Sequence, residues 1–600
     1  MLIHLREFFS LLTRQQRRRL LRLQVLIVFM AFAELASVIA IGPFMAVVGD
    51  MSRLEGDGRL AWAYRLSGLE SPEAFLTLLG AMVLFVLLLA ALFSIYTTWR
   101  LSLYSAQVGA ELSSRLYRYY LYQPWLFHSG ENTSGLINKV SQEVQRTSHR
   151  IINPCMKLNA KLVMVSLMTV AIFIYNPVVA VSGAMIFAAS YLLLYKTVRR
   201  FLIANGRRVS RAQAKRFKLM TEGFGGIKDL LLLHRQENFT SRFDKASNSV
   251  ARGQGVTQGL SDAPRYAIEL VAFAAVILLV LYLLNLYEGN LGAILPALSI
   301  YALAGFKMLP AFQKIYSAIS QIRGNLAAYE SIREDLLASR TNESTAAAQS
   351  DVEITPLVPQ QGIELQDVVF DYPGKKGLAL GGLTLTIPAN RMVGLVGASG
   401  SGKSTAVDLL LGLIHPQQGR VMIDGVPLTQ ENLRCWQAGV GLVPQQIFLA
   451  DASILENVAF GIAKEQIDEA RAMEALRLAQ LDDLIEKLPE GVETWIGERG
   501  VQLSGGQRQR VGIARALYQQ ARVLVLDEAT SALDGITERR LMSDIQRLAG
   551  QMTIVLVAHR LTTVKDCDII YLLDAGQVTD SGTYDDLASR NVTFQMMANL

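Results

Sequence analysis

Cysteine is scarce. Three occur in 600 residues, Cys155, Cys435 and Cys567, far apart and with no CxxC pair. A disulfide framework and a cysteine-based zinc site are therefore excluded, which leaves three ordinary reduced core residues. Charge is thin as well. Asp, Glu, Lys and Arg make up 18% of the chain against 51% hydrophobic residues, and mean hydropathy is +0.28. A wholly soluble protein carries nearer a quarter charged residues, so these values fit a chain that is part membrane and part soluble. There is no large excess of one sign, since the formal charge is +6. The arginines instead gather beside apolar runs, which points to membrane anchoring rather than to nucleic acid. A small-residue cleavage pattern is also missing near the N-terminus, and the first apolar run is too long for a cleavable signal peptide.

Long apolar runs are what the first half has in plenty. They fall at about 23–48, 74–98, 156–176, 178–198, 266–287 and 291–316. Each is near the length of about 20 residues that a spanning helix needs. The third and fourth abut at Asn176-Pro177, a tight-turn signal. Arg14, Arg17, Arg18, Arg19 and Arg22 precede the first run, and the 99–155 and 199–262 connections are rich in Arg and Lys. The positive-inside rule then places both termini in the cytoplasm, with six spans. Those two long connections are polar with helical periodicity and read as cytoplasmic extensions of the spanning helices. The outer connection at 49–73 holds Arg59-Leu60-Ala61-Trp62-Ala63-Tyr64-Arg65-Leu66. It reads either as a loop with a helical turn or as a short external helix that meets lipid.

Residues 338–361, rich in Ser, Thr, Ala, Gln and Pro, read as a linker between domains at 1–337 and 362–600. Beyond it, short β-branched runs alternate with helical stretches, the pattern of an α/β nucleotide-binding domain. The strand Met392–Val396 leads into Gly397-Ala398-Ser399-Gly400-Ser401-Gly402-Lys403-Ser404-Thr405 and then a helix. That is the strand–loop–helix context of a phosphate-binding P-loop, whose backbone N–H groups and helix N-terminus converge on anions. Lys403 suits the β- and γ-phosphates of ATP, and the Ser404 hydroxyl suits Mg²⁺. Further on, Val523 to Leu526 form a buried strand that ends in Asp527-Glu528. Asp527 is placed to hold magnesium, and Glu528 to polarise the attacking water.

Between these two features stands Leu503-Ser504-Gly505-Gly506-Gln507, which resembles the signature of ABC ATPases. The resemblance covers about 363–600 and implies further roles. Tyr372 matches the aromatic that stacks on adenine. Gln445, with Gln446 beside it, matches the glutamine that senses magnesium and touches the membrane domain. Asp534 matches the loop that communicates across a dimer, His559 the switch histidine at the γ-phosphate, and Gly497-Glu498-Arg499-Gly500 an exporter-specific loop. The signature of the family, here Ser504, Gly505, Gly506 and Gln507, closes on a nucleotide held by another copy of the domain. One ATPase and six spans per chain thus imply two chains, most simply a homodimer.

The fold expected is a multidomain membrane protein, an N-terminal all-α six-helix transmembrane domain of ABC exporter type plus a C-terminal α/β P-loop ATPase domain. Exporters carry coupling helices at the ends of their cytoplasmic connections. The matching segments are 125–135 and 221–229. Within the exporters, Ala33-Glu34-Leu35-Ala36, the outer segment and Gly226-Ile227-Lys228-Asp229-Leu230 resemble bacterial lipid-linked oligosaccharide flippases of the protein-glycosylation type. That resemblance implies a polyprenyl-pyrophosphate glycan moved to the outer leaflet of the bacterial inner membrane. The alternatives are export of drugs or of another lipid such as lipid A core, or a regulatory ABC protein. An anionic lipid calls for cations within the membrane domain, and Arg100, Arg265 and Lys307 are the candidates, with Glu34 and Glu269 as intramembrane carboxylates.

Overall fold

The computed structural model describes residue 7 and residues 10–55, 58–286, 291–348, 354–374, 377–529, 535–558 and 560–598. The chain divides into two units, one of residues 1–123 and 130–350, the other of residues 124–129 and 351–600.

The first unit is helical. Helix α1 (Arg14–Ile39) starts at a capping box in which Thr13 and Gln16 exchange bonds, and α2 (Ile41–Gly49) continues it after a break beside Gly42-Pro43. The outer connection forms α3 (Arg59–Ser67), ended by Gly68 in the left-handed region at φ 66°. Ala61 is buried beneath it, Tyr64 meets Phe75 edge-on at 5.2 Å, and Trp62 and Leu66 stand exposed. Of the two readings of this segment, the helix is the one formed. Helix α4 (Pro72–Leu121) has Pro72 in its first turn and Ser71 as its N-cap. Its 50 residues carry the second apolar run onward into the polar connection.

The short helix α5 (Trp125–Gly130) follows. Helix α6 (Asn153–Tyr175) ends where Asn176 caps α7 (Pro177–Gly225), the Asn176 carboxamide oxygen accepting from the N–H groups of Val178 and Val179. The Asn-Pro pair thus closes one helix and opens the next. Then come α8 (Ile227–Leu232), α9 (Gln236–Asp262), α10 (Pro264–Leu286) and α11 (Leu291–Ala348). Among the described residues, three helices are long and apolar enough to cross a membrane, and a fourth candidate, α7, is bent by 42° near Leu193. The fifth and sixth runs fall in α10 and α11, partly outside the described residues.

Two boundaries differ from the sequence reading. The linker expected from 338 is helical as far as Ala348, because α11 continues through good helix formers such as Ala346, Ala347 and Ala348. The 221–229 segment does not form one separate helix: α7 persists through Gly223 to Gly225, and the short helix α8 begins only at Ile227.

Polar ties and close approaches hold the extensions together. Arg115 donates to the Ser339 hydroxyl at 2.8 Å and to the carbonyls of Leu11 and Leu336. Helices α7 and α11 cross at Gly206 and Gly324, where a Cβ on Gly206 would lie 2.3 Å from the Gly324 carbonyl oxygen. Only glycine permits that approach.

The second unit carries two sheets. Strands β1 (Gly362–Phe370), β2 (Leu380–Pro388), β4 (Gln418–Ile423) and β5 (Val426–Pro427) form an antiparallel sheet in the order β2-β1-β4-β5. The other six form a sheet in the order β10-β9-β3-β8-β7-β6. Here β3 (Met392–Gly397), β6 (Val440–Val443), β7 (Val523–Asp527), β8 (Thr553–Val557) and β9 (Ile569–Asp574) run parallel, and β10 (Gln577–Gly582) is the antiparallel edge. Buried parallel strands read as continuous apolar runs, which is why Val523 to Leu526 lack alternation. Helices α12 (Lys403–Leu410) and α13 (Gly505–Tyr518) follow β3 and precede β7.

Candidate functional site

Register decides what meets at the sheet edge. Leu395 of β3 pairs with Val557 of β8, and Asp527 of β7 pairs with the same Val557. The P-loop and the acidic pair therefore leave the sheet on either side of β8, at the carboxyl ends of its strands, where ligands bind in open α/β sheets.

The P-loop backbone requires its glycines. Gly400 and Gly402 lie at φ 84° and 103°, and a Cβ on Gly397 would stand 2.2 Å from the Leu573 carbonyl oxygen. Lys403 is buried, and its ammonium donates to the carbonyls of Gly397 and Ala398 at 2.8 and 2.9 Å. Burial holds its pKa below the ordinary lysine value, while Glu528 and Asp527 oppose that shift. Such a cation, poorly solvated and close to carboxylates, is a ready partner for a polyanion. Ala398, Ser399 and Ser401 complete the loop, and Ser404 and Thr405 occupy the first turn of α12.

Glu528 adopts φ 51°, a left-handed backbone rare for a glutamate. Its N–H donates to the Val557 carbonyl at 3.0 Å. Its carboxylate accepts from the Gln445 side chain at 2.7 Å. Strain held by the surrounding structure is a mark of functional positions. Between the adjacent glutamines, Gln445 is the one bonded to Glu528. Were magnesium bound here, the residues that could hold it offer oxygens: the Ser404 hydroxyl, the Asp527 carboxylate and the Gln445 carboxamide. That suits a hard cation which keeps waters and takes phosphate oxygens. Among the described residues no cluster of three His, Cys, Asp or Glu forms a metal cage.

Tyr372 packs edge-on against Phe370 at 5.1 Å, and its hydroxyl lies 3.4 Å from both Thr405 and Asp408 on α12. Asp408 was not singled out in the sequence. Burial raises its pKa, and hydrogen bonds from Tyr372 and Trp125 offset this. Trp125 belongs to α5; residues 124–129 group with the ATPase, and Leu126 packs on its core. A polar residue in the apolar helix after a P-loop was the only signal available for Asp408.

The signature is a helix cap. Ser504 heads α13, accepting from the Gln507 N–H at 3.2 Å, while the Gln507 side chain accepts from the Ser504 N–H at 2.7 Å. Leu503 is buried in the core, Gly505 and Gly506 form the first turn, and Ser504 is exposed. Asp534, His559 and the Arg499 side chain lie outside the described residues.

The membrane candidates do not come together in one place. The Lys307 ammonium donates to Glu34 at 2.6 Å, and the Ser94 hydroxyl donates to the same carboxylate at 2.7 Å. Arg265 pairs with Glu269 one turn on, at 2.7 Å, and Gln313 also donates to Glu269. Arg100 lies instead on α4 beside Arg19 and Arg22 of α1. Three lysines not singled out in the sequence also appear here: Lys161 interacts electrostatically with Glu34, Lys307 and Lys314, and Lys157 with Lys314. Of the three cysteines, Cys567 is buried and Cys155 and Cys435 are half-buried.

A P-loop, an acidic strand end and a capped glycine turn, on a chain with spanning helices, define a membrane protein with an attached ATPase. The ABC transporter model matches residues 380–531, and the model of the ABC transporter transmembrane region matches residues 22–306. The ATP-dependent lipid A-core flippase of Saccharophagus degradans is 30% identical over 82% of this chain and 81% of its own length. The one from Haemophilus ducreyi is 28% identical over 88% and 90%. The one from Alkalilimnicola ehrlichii is 34% identical, but over only 64% of each chain. A solved bacterial Atm1-family ABC exporter with ATP bound has the same fold, with a TM-score of 0.78 over 97% of both chains at 23% identity. The chain belongs to the ABC transporter family, as a half-size exporter whose ATPase domain follows one transmembrane domain. It is an ATPase coupled to transport.

Proposed function

We propose that this chain is an ATP-driven flippase for a phosphate-bearing glycolipid, working as a homodimer in the bacterial inner membrane with its ATPase in the cytoplasm. The observation that carries the cargo reading is the lysine cluster. Lys307 pairs with Glu34, Lys161 interacts with Glu34, Lys307 and Lys314, and Lys157 interacts in turn with Lys314. Ionisable groups within spans are costly and mark a transport path by default. A cluster dominated by cations suits a lipid whose charge is anionic, and suits a neutral drug poorly. These relatives are named for lipid A-core, which favours that lipid. The second reading is a polyprenyl-pyrophosphate glycan, favoured by the exposed Trp62 and Leu66 of α3, an apolar outer surface for a lipid chain.

In the ATPase, Gly397 to Thr405 would hold the phosphates, with Lys403 supplying the cation. Ser404, Asp527 and Gln445 would hold magnesium, which withdraws charge from the phosphates when bound. Glu528, fixed by Gln445, is the group to orient and deprotonate water, with His559 beside the γ-phosphate. Tyr372 is the adenine-stacking aromatic. Ser504 to Gln507 and Asp534 would complete the site on the other protomer, so neither nucleotide is enclosed without a second chain.

Reconstitution in liposomes tests the cargo. Fluorescent lipid A-core, a polyprenyl-pyrophosphate glycan and a neutral dye are offered with ATP. ATP-dependent loss of inner-leaflet label is expected for a phosphate-bearing lipid. Transport of the dye alone overturns the reading. Trp125→Phe tests coupling. It removes one hydrogen bond to Asp408, worth about 1 kcal/mol. Basal ATP turnover is expected to stay within about twofold while cargo stimulation falls, as read by phosphate release with and without lipid.

A further inference from the structure

We infer that the cytoplasmic groove between α1 and α4 is a binding site for the headgroup of an anionic phospholipid, separate from the lysine cluster around Glu34. Helical spacing builds it. Arg19 and Arg22 are three residues apart and share a face of α1, and Tyr96, Arg100 and Gln107 share a face of α4. The two faces enclose a cavity of about 440 Å³, floored by Tyr104. That is the size of a small-molecule cleft.

The lining chemistry is one-sided. No acidic side chain lines the cavity among the described residues. Arg19 donates to Gln107 at 3.4 Å, and no carboxylate pairs with Arg22 or Arg100 among the described residues. Glu111, the acid that acts electrostatically on Tyr104, is engaged by the Gln16 side chain. The Tyr104 hydroxyl donates to the Gln16 carbonyl at 3.3 Å, which fixes the floor. Three guanidinium groups converging without counter-charge suit a phosphate, which they bind in forked pairs of hydrogen bonds.

Position names the source of that phosphate. Arg22 stands where the apolar run of α1 begins, and Arg100 where that of α4 ends, so both sit at the cytoplasmic edge of the spans. Tyr96 and Trp99, exposed and in edge contact at 6.4 Å, form the aromatic belt expected at that level. Basic pockets between spanning helices on this side of a membrane take anionic headgroups. Lipid in the inner leaflet reaches such a groove sideways, whatever the transported cargo is.

Native mass spectrometry of the full-length protein in detergent, titrated with phosphatidylglycerol, tests the site. The parent is expected to retain phosphatidylglycerol in preference to diacylglycerol, which has the same tails and no phosphate. Arg22→Gln with Arg100→Gln is expected to weaken retention roughly thirtyfold, about fivefold for each arginine. Arg22→Lys with Arg100→Lys restores most of it and shows that the fold survives, as does an unchanged elution profile. Arg199→Gln with Arg200→Gln, equally basic but elsewhere, leaves it unchanged. Equal retention by the parent and the double Gln variant overturns the inference. So does equal retention of diacylglycerol, or displacement of the lipid by millimolar inorganic phosphate. Because binding alone is read, the result is independent of whether the flippase assay succeeds.

Discussion

Glu528→Gln is expected to lower ATP turnover by about 10²- to 10⁴-fold, the contribution of a positioned general base, while leaving ATP binding intact. The geometry explains both halves of that expectation. The substitution keeps the size of the side chain and the backbone bond from the Glu528 N–H to Val557. It keeps a carbonyl oxygen able to accept from Gln445. What it removes is the basic oxygen. The phosphates depend on other groups, the P-loop backbone and Lys403, so binding should persist. Single-turnover hydrolysis together with nucleotide-analogue binding checks it. Hydrolysis at the parental rate would falsify the assignment of Glu528 as the base.

Local features were legible in the sequence because each is a short-range device. The P-loop needs glycines at successive positions, and Gly397, Gly400 and Gly402 each occupy a conformation or a space that other residues resist. The turn at Asn176-Pro177 and the cap at Ser504–Gln507 are written within four residues. Arg265 and Glu269 face each other because one helical turn separates them. The features that escaped depend on chain segments far apart. Glu34 and Lys307 are 273 positions from each other, and nothing in either neighbourhood names the other. Lys161 sits in a run that reads simply as a span. Asp408 became notable only once Tyr372 and Trp125 were seen to converge on it. Likewise, the three cations considered for one cargo site turned out to serve three different places.

The pairing of Lys307 with Glu34 gives the second large effect. The Glu34 side chain is only 10% exposed and that of Lys307 27% exposed. Lys307→Met removes the cation and leaves the carboxylate with the Ser94 hydroxyl and the more distant Lys161. Breaking a buried pair in this one-sided way costs about 3–5 kcal/mol, because a charge stays behind without compensation. Loss of folded protein on heating, followed by size-exclusion chromatography, should reveal it as a clear drop in the midpoint. Glu34→Gln added to Lys307→Met removes the stranded charge, and the midpoint should recover most of its value, since replacing both partners is often neutral. Transport separates the two roles the pair can have. If Lys307 serves only the fold, the double variant regains flipping along with stability. If Lys307 also meets the anionic lipid, stability returns while flipping stays low, and the cluster is left with Lys157, Lys161 and Lys314. The second outcome is expected, because Lys307 and Lys161 both act on Glu34 while Lys314 and Lys157 add further cations nearby, more positive charge than one structural pair requires.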